Sequence, residues 1–294
     1  MTTMTAPART DFRLIHRLRV RWAEVDLQRI VFNPHYLMYI DTAFTEYWRA
    51  MAIPYEQIPQ TLGGDLYVKK STLEYHGSAR LDDLLDIGVL CARIGTSSMV
   101  FRAAVLRNDV LLVSGELIYV FADPATQTSK PVPPQLRELL QSFEAGVSPI
   151  NVRVGTWAEL GAQASALRRE VFVHELGIAH GLEQDTADDD AVHVLVCNRM
   201  GLALATGRLV HDGPALARIA RVAVNRTMRA TGLGQVVMQA LTQVASERGN
   251  NRVVLQSQCS AEGFYTRLGF SRIGEVYEDA GIAHVDLARP LTSL

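Results

Sequence analysis

RIARVAVNRTMRATGLG, residues 218–234, runs from an apolar strand through a short basic turn into an Arg-x-x-Gly-x-Gly run that opens an amphipathic helix. Glycine enters left-handed backbone at no steric cost, so the glycines of this run bare consecutive N–H groups at the mouth of a helix. Together with the positive end of the helix dipole, such a nest holds a diphosphate without the lysine of a P-loop. The plain alternative is an ordinary strand-to-helix turn.

What surrounds the run decides between these readings. Upstream, Trp157 to Leu176 reads as an opening helix, followed by strands at Val192–Cys197, Leu202–Leu209 and Leu216–Val224. The helix Leu233–Arg248 buries Val237, Ala240, Leu241 and Val244 and stops at Gly249-Asn250. A strand, Arg252–Gln258, a short helix, Glu262–Leu268, and a closing pair, Ser271–Val276 with Ile282–Leu287, complete an α/β order. The nest and the later run AEGFYTRLGF (261–270) resemble motifs A and B of the GNAT acyltransferases, and the likeness spans nearly all of this half.

That resemblance implies an acetyl-CoA site. Val222 and Val224 present main-chain groups to the pantetheine arm, while Arg229, Ala230, Thr231, Gly232, Leu233 and Gly234 hold the pyrophosphate. Gln258 stands where many members have Asn, and Tyr265 matches the tyrosine that protonates the departing CoA thiolate. A phenol near pKa 10 is a suitable donor to a thiolate of pKa about 8.5; the alternative for Tyr265 is a core aromatic beside Phe264. LRREVFVHELG (167–177), the acidic stretch Glu183 to Asp190, His193 and AGIAH (280–284) are similar to a bacterial branch of the family. The acids would draw in a cationic amine acceptor, or form a solvated loop, and Glu175 or His284 would relay its proton. His193 with these acids lacks any metal-ligand spacing, so no metal is expected.

The first half keeps another rhythm. Asn33-Pro34 reads as an N-cap with proline at the first helical position, and Leu37, Ile40, Phe44, Tyr47, Trp48 and Met51 follow at helical spacing until Ile53-Pro54. An initial strand, Phe12 to Trp22, and four β-rich stretches (66–76, 84–94, 99–107 and 110–121) accompany this helix, with Asn108-Asp109 as a tight hairpin turn. One long helix wrapped by a five-stranded antiparallel sheet is the hotdog fold. VRWAEVDLQRIVFNPHYL (20–37) resembles the 4-hydroxybenzoyl-CoA thioesterase family, with support from Glu74-Tyr75, ARLDD (79–83) and GTSS (95–98).

By that resemblance Asp26 is the catalytic carboxylate, attacking a thioester carbonyl or deprotonating a water, and the amides opening the Pro34 helix receive the oxyanion. Without it, Asp26 is a loop residue capping a turn or pairing with Arg29. Many relatives carry Gly shortly after the Asp, a His further on and a Tyr before it, where this chain has Arg29, Asn33 and Trp22. Asn33 is still able to orient a carbonyl; His35 and Tyr36 either meet substrate or pack the first turn. The family implies at least a dimer, with each site completed by a neighbouring copy.

At 294 residues, with 48% hydrophobic and 20% charged side chains, the chain suits two domains of about 140 residues each. Gly146, Ser148 and Pro149 break both rhythms after the Pro-started helix KPVPPQLRELLQSF (130–143). The expected layout is an α+β hotdog domain at 10–141, a linker at 142–152 and an α/β GNAT domain at 153–294. A net charge of −2 offers no basic field for nucleic acid. Residues 1–10 have no apolar leader and read as a tail, and no apolar run is long enough to span a membrane. Cys91, Cys197 and Cys259, without paired spacing, fit a cytoplasmic protein. The expectation is a bifunctional enzyme whose substrates are acyl-CoA and an amine; the rival is a CoA-ester sensor or assembly module in which one half binds without turnover.

Overall fold

The computed structural model describes residues 7–279 and 281–291; the tail reading of residues 1–6 and Ala280 of the closing motif lie outside them. The chain divides into two compact units between Pro149 and Ile150. Among the described residues no helix is long and apolar enough to cross a membrane.

The first unit comprises β1 (Leu14–Arg19), α1 (Pro34–Ala50), α2 (Ile58–Leu62), β2 (Asp65–Tyr75), β3 (Leu84–Ile94), β4 (Ser98–Arg107), β5 (Val110–Ala122) and α3 (Pro134–Glu144). Its five strands form one antiparallel sheet in the order β1-β3-β4-β5-β2. Asn108 and Asp109, with φ of 49° and 64°, supply the left-handed pair that a two-residue hairpin turn needs. The sheet wraps α1 through Phe44, whose ring stacks on Tyr119 at 4.3 Å and meets Phe101 edge-on at 4.9 Å. Gly115 permits the approach, since a Cβ there would stand 3.0 Å from Leu73 Cδ2 and 3.3 Å from Ile40 Cδ1. This is the hotdog arrangement.

Two details of α1 correct the sequence reading. Leu37, expected in the buried stripe, is 37% exposed, whereas Tyr36 and Tyr39 are buried. Each tyrosine hydroxyl finds an internal partner, Ala79 N–H for Tyr36 and the Glu24 carboxylate for Tyr39, so the larger rings are buried without an orphaned polar atom. Asn33 is itself helical (φ −51°, ψ −35°) and its side chain makes no cap bond. The helix is entered through a tight turn instead, with His35 N–H donating to Phe32 O at 2.9 Å.

The second unit opens with a strand that the sequence reading omitted, β6 (Ile150–Gly155), paired with β7 (Val192–Asn198). Its Val152 and Val154 are exposed on an edge strand, so apolar alternation there marks no core face. The expected helix Trp157–Leu176 is two pieces, α4 (Trp157–Arg168) and a π-helical stretch (Arg169–Glu175). Then come α5 (Ala187–Asp190), β7, β8 (Ala203–His211), β9 (Leu216–Val224), α6 (Leu233–Glu247), β10 (Arg252–Gln258), α7 (Glu262–Arg267), β11 (Ser271–Asp279) and β12 (Ile282–Pro290). The seven strands run in the order β11-β12-β10-β9-β8-β7-β6, with β9 and β10 the parallel pair.

One irregularity organises this sheet. Arg208 pairs with Ala220 and Thr206 with Ala223, so Arg221 and Val222 stand together opposite Gly207, and Arg221 takes φ 54°. That is a β-bulge, which bends its strand. The β9–β10 ladder ends at Ile219↔Leu255, just before it. Beyond that point β9 keeps β8 on one side and leaves Val222 to Val224 unpaired on the other, so a wedge opens between the parallel strands. Helix α6 rests on β8 at Gly207, where a Cβ would come within 2.8 Å of Val237 Cγ1 and 2.9 Å of Leu241 Cδ1.

Candidate active sites

The wedge in the second unit is a cavity of about 910 Å³. Of the residues singled out above, Val222, Val224, Arg229, Ala230, Gly232, Leu233, Gly234, Gln258, Tyr265 and His284 line it. Thr231 does not; its hydroxyl donates to Met228 O at 2.7 Å and shapes the turn. Ala230 (φ 63°) and Gly232 (φ 90°) are left-handed, and Gly232 offers no side-chain cap to the N–H groups that open α6. The run thereby leaves main-chain N–H groups uncapped at the mouth of a 15-residue helix, a geometry that suits an anion. Gly234 keeps the turn close to α7, since a Cβ there would lie 3.1 Å from Phe264 Cζ, tighter than ordinary contact.

Arg229 in this run holds Glu175 in a two-pronged pair at 2.5 and 2.6 Å. The guanidinium keeps the Glu175 carboxyl below its ordinary range. Glu175 is therefore an ionised partner of Arg229 and lies outside the cavity lining, which makes it a poor proton relay. Tyr265 faces the cavity with its ring against Phe264 (4.9 Å) and Phe270 (6.1 Å). Desolvation pushes its phenol up to about 12, so it stays protonated at neutral pH. His284 on β12 pairs in register with Gln258 on β10. Its Nδ1 lies 2.8 Å from Ile282 O, a contact that places the proton on Nδ1 and the lone pair on Nε2.

Two acids of the acidic stretch, Asp185 and Asp188, are taken up by arginines of the same unit. Asp188 is 1% exposed and pairs with Arg168, itself fully buried, at 2.8 Å. Asp185 takes both terminal nitrogens of Arg208 at 2.7 Å, which holds its carboxyl down at about 2. His193, also fully buried, lies 3.2 Å from Arg168 through Nδ1 and 2.9 Å from Asp188 O through Nε2. Desolvation holds it below its ordinary pKa. Removing one partner of such a buried pair typically costs about 3–5 kcal/mol, so these acids brace α4 and α5 against β7 and β8.

In the first unit Asp26 sits on a loop pinched by the Val25↔Val31 bridge. Its N–H donates to Ile30 O at 2.9 Å, its carbonyl accepts from Arg29 N–H at 2.9 Å, and Arg29 takes φ 62°. Asp26 Oδ1 accepts from Gln28 N–H at 2.8 Å, which is turn capping, while Oδ2 has no partner among the described residues. A residue that the sequence reading missed, Glu24, fixes this loop. It is 3% exposed and accepts from Tyr39 OH at 2.7 Å and from Arg21 Nε at 2.6 Å, while its carbonyl accepts from Phe32 N–H at 2.9 Å. Burial opposes its charge, but the Arg21 amide, Tyr39 and the Arg21 guanidinium together hold the carboxyl below its ordinary range. Its only sequence signal is an acid three residues after Arg21.

Around Asp26 the remaining candidates separate. Tyr36 is 2% exposed with its hydroxyl on Ala79 N–H at 2.8 Å, an anchor rather than a substrate contact. His35 is half-buried, its Nδ1 buried without a partner and its ring edge-on to Phe32 at 6.2 Å. Asn33 is exposed, and its carbonyl accepts from Tyr75 OH at 3.4 Å. The first-turn amides of His35 and Tyr36 already donate to Phe32 O and Asn33 O, so an oxyanion there would have to share them. Trp22 (79% exposed), Leu27 (fully exposed) and Phe32 (50%) flank Asp26 in the chain. Among the described residues no group of His, Cys, Asp or Glu has a metal-binding arrangement.

Comparison with known proteins gives each unit a family. Residues 158–290 match the acetyltransferase (GNAT) domain. Residues 28–114 match the thioesterase superfamily, so Asp26 lies just ahead of the matched segment. A UPF0039 protein of Schizosaccharomyces pombe is 34% identical over 123 residues, covering 41% of this chain and 81% of that protein. The Bacillus subtilis protein named "Uncharacterized N-acetyltransferase YjcF" is 28% identical over 124 residues, covering 42% of this chain and 87% of its own. A Thermus thermophilus thioesterase crystallised with coenzyme A and Zn superimposes with a TM-score of 0.41 at 22% identity, covering 46% of this chain and 96% of that one.

Proposed function

We propose, for a chain that belongs to the GNAT acetyltransferase family through residues 158–290 and carries a thioesterase-superfamily domain over 28–114, that each unit performs its own reaction on an acyl-CoA. The observation that carries this reading is the wedge behind the Arg221 bulge, which brings the Ala230–Gly234 nest, Gln258, Tyr265 and His284 to one cavity.

In the second unit the CoA diphosphate lies on the amides of Ala230 to Gly234 and on Arg229. The pantetheine arm pairs with the main chain of Val222 and Val224, left unpaired by the splay of β9 from β10. His284 Nε2 takes a proton from the acceptor amine, whose nitrogen attacks the thioester carbonyl. As the C–S bond breaks, charge collects on sulfur, and Tyr265 donates to it. A phenol raised to about 12 keeps its proton at neutral pH, so its O–H is present as a hydrogen-bond donor when negative charge collects on sulfur.

In the first unit Asp26, with Oδ2 free, attacks a thioester carbonyl or deprotonates a water, and Asn33 and His35 contact the acyl-CoA. The exposed Trp22, Leu27, Phe32 and Met38 are covered by a second copy, which makes the molecule at least a dimer. A second reading, in which this unit binds a CoA ester without turnover, is favoured by the first-turn amides already being engaged. Three free cysteines suit a cytoplasmic setting.

Release of free thiol from a panel of acyl-CoAs, with and without amines, tests both halves. Asp26→Asn is expected to lower amine-independent release by about 100-fold or more, and Tyr265→Phe to lower amine-dependent release by about 100-fold, each sparing the other activity. Amine-independent release untouched by Asp26→Asn removes Asp26 from the hydrolysis, whereas no such release from the wild type makes the first unit a binder.

A further inference from the structure

We propose that the acceptor of the second unit carries a carboxylate as well as its amine, and that Arg221, at the bulge of β9, receives that carboxylate. The inference rests on reading the cavity as an acyl-transfer site and names the class of molecule that enters it.

Along the chain the cavity has a direction. Residues 229–234 form the diphosphate nest and Val222 to Val224 the pantetheine stretch, so the wall before Val222 lies on the acceptor's side of the thioester. Arg221 and Arg218 are both in that wall. Arg218 is matched by Asp212, at 2.8 and 3.1 Å. Arg221 shares its carboxylate, Asp185, with Arg208.

Behind the wall, Arg168, Arg208 and Arg221 share Asp185 and Asp188. Asp188 pairs with Arg168 and Arg208, each at 2.8 Å. Asp185 takes both terminal nitrogens of Arg208 at 2.7 Å and Arg221 Nη2 at 3.0 Å. His193 adds no charge, since its two ring nitrogens are used as one acceptor, from Arg168, and one donor, to Asp188 O. Three cations therefore meet two anions. Two of the cations are sealed, with side chains 0% and 6% exposed, whereas that of Arg221 is 31% exposed. The surplus positive charge thus emerges at the member that lines the cavity.

The position is built rather than incidental. A non-glycine residue at φ 54° inside a strand is uncommon, and here the bulge and the ion pair to Asp185 hold it. With Nη2 committed to Asp185, Nη1 has no partner among the described residues. One unit of surplus charge and one free terminal nitrogen suit a single carboxylate better than a dianionic phosphate. Asp279 and His284 line the same cavity and are held close by the pairing of Asp279 with Ile282 and of Tyr277 with His284. Their chemistry suits the ammonium end of a zwitterionic acceptor.

The experiment compares matched acceptors on the full chain with acetyl-CoA: amino acids against their carboxamides and the corresponding decarboxylated amines, with phosphorylated amines as a further arm. The wild-type protein is expected to favour the carboxylates by about 100-fold in kcat/KM, mainly through KM, as losing a charge-assisted contact predicts. Arg221→Gln should bring the carboxylate acceptors down to the level of their decarboxylated counterparts, and Arg221→Lys should restore part of the difference. Acetyl-CoA affinity and thermal melting report whether the variants remain folded, and the wild-type comparison needs no variant. Transfer to amines with no preference for the carboxylate, or a stronger preference for the phosphorylated arm, overturns this inference and leaves the acyl-transfer reading standing. Tight acetyl-CoA binding with no transfer to any amine overturns both.

Discussion

In the second unit the groups proposed to act on a thioester converge inside a cavity of about 910 Å³, framed by a bulged strand, a π-helical roof and a glycine turn of the same chain. In the first, the proposed carboxylate rides an open loop next to a fully exposed leucine, and the helix mouth beside it has its amides already engaged. One site is furnished by internal geometry, the other presented at a surface. The difference predicts that perturbing assembly should silence only the first, and perturbing backbone turns only the second.

The largest effect is expected from that asymmetry. A charge at the exposed apolar rim, Leu27→Asp or Met38→Glu, should drive the protein toward monomer in analytical ultracentrifugation and remove amine-independent thiol release. Amine-dependent transfer should stay within about twofold, because surface substitutions away from a packed core change stability by only about 0.5 kcal/mol. A monomer with intact hydrolysis would break the comparison.

Next in size is Gly232→Ala. At φ 90° a Cβ costs about 1 kcal/mol or more, and the nest amides shift with it. Acetyl-CoA affinity by calorimetry should fall about tenfold while hydrolysis is unchanged. Acid sharpens the contrast further. His193 is held below its ordinary pKa in the folded second unit, so below about pH 6.5 the unfolded chain takes up a proton that the folded unit refuses. Stability is lost from there downward, with a second loss as the pH falls toward the value of about 2 at which Asp185 protonates. His193→Gln should flatten the first part of the melting-temperature profile. The smallest effect is expected from Glu175→Gln, which frees Arg229 for the diphosphate and should tighten acetyl-CoA a few-fold.

How legible these sites were follows from how local their causes are. The Arg229 to Gly234 run was readable because a left-handed turn at a helix mouth demands glycine within a few residues. The hairpin at Asn108-Asp109 was readable from two residues that tolerate left-handed backbone, and the five-stranded sheet from its β-rich stretches together with the hotdog resemblance. The Arg221 bulge was not, since no glycine marks it and its cause is the register of β8. The pairing of Asp185 and Asp188 was not legible because their partners, Arg168 and Arg208, come from elements that are distant in sequence, while Asp189 and Asp190 are exposed as a solvated loop would have them. Tyr36 displaced Leu37 from the core for a similar reason, the Ala79 amide being visible only after folding. Glu24 was passed over beside the more conspicuous Asp26.

The clasp between Arg229 and Glu175 carries a kinetic consequence. Glu175 ends the π-helical stretch whose Val171 and Phe172 line the cavity beside Ala223, so a diphosphate bound at Arg229 as proposed would first have to prise that carboxylate away. The two reactants are then expected to load in a fixed sequence, nucleotide before nucleophile. Dead-end inhibition by desulfo-CoA should accordingly be competitive toward acetyl-CoA and noncompetitive toward the amine.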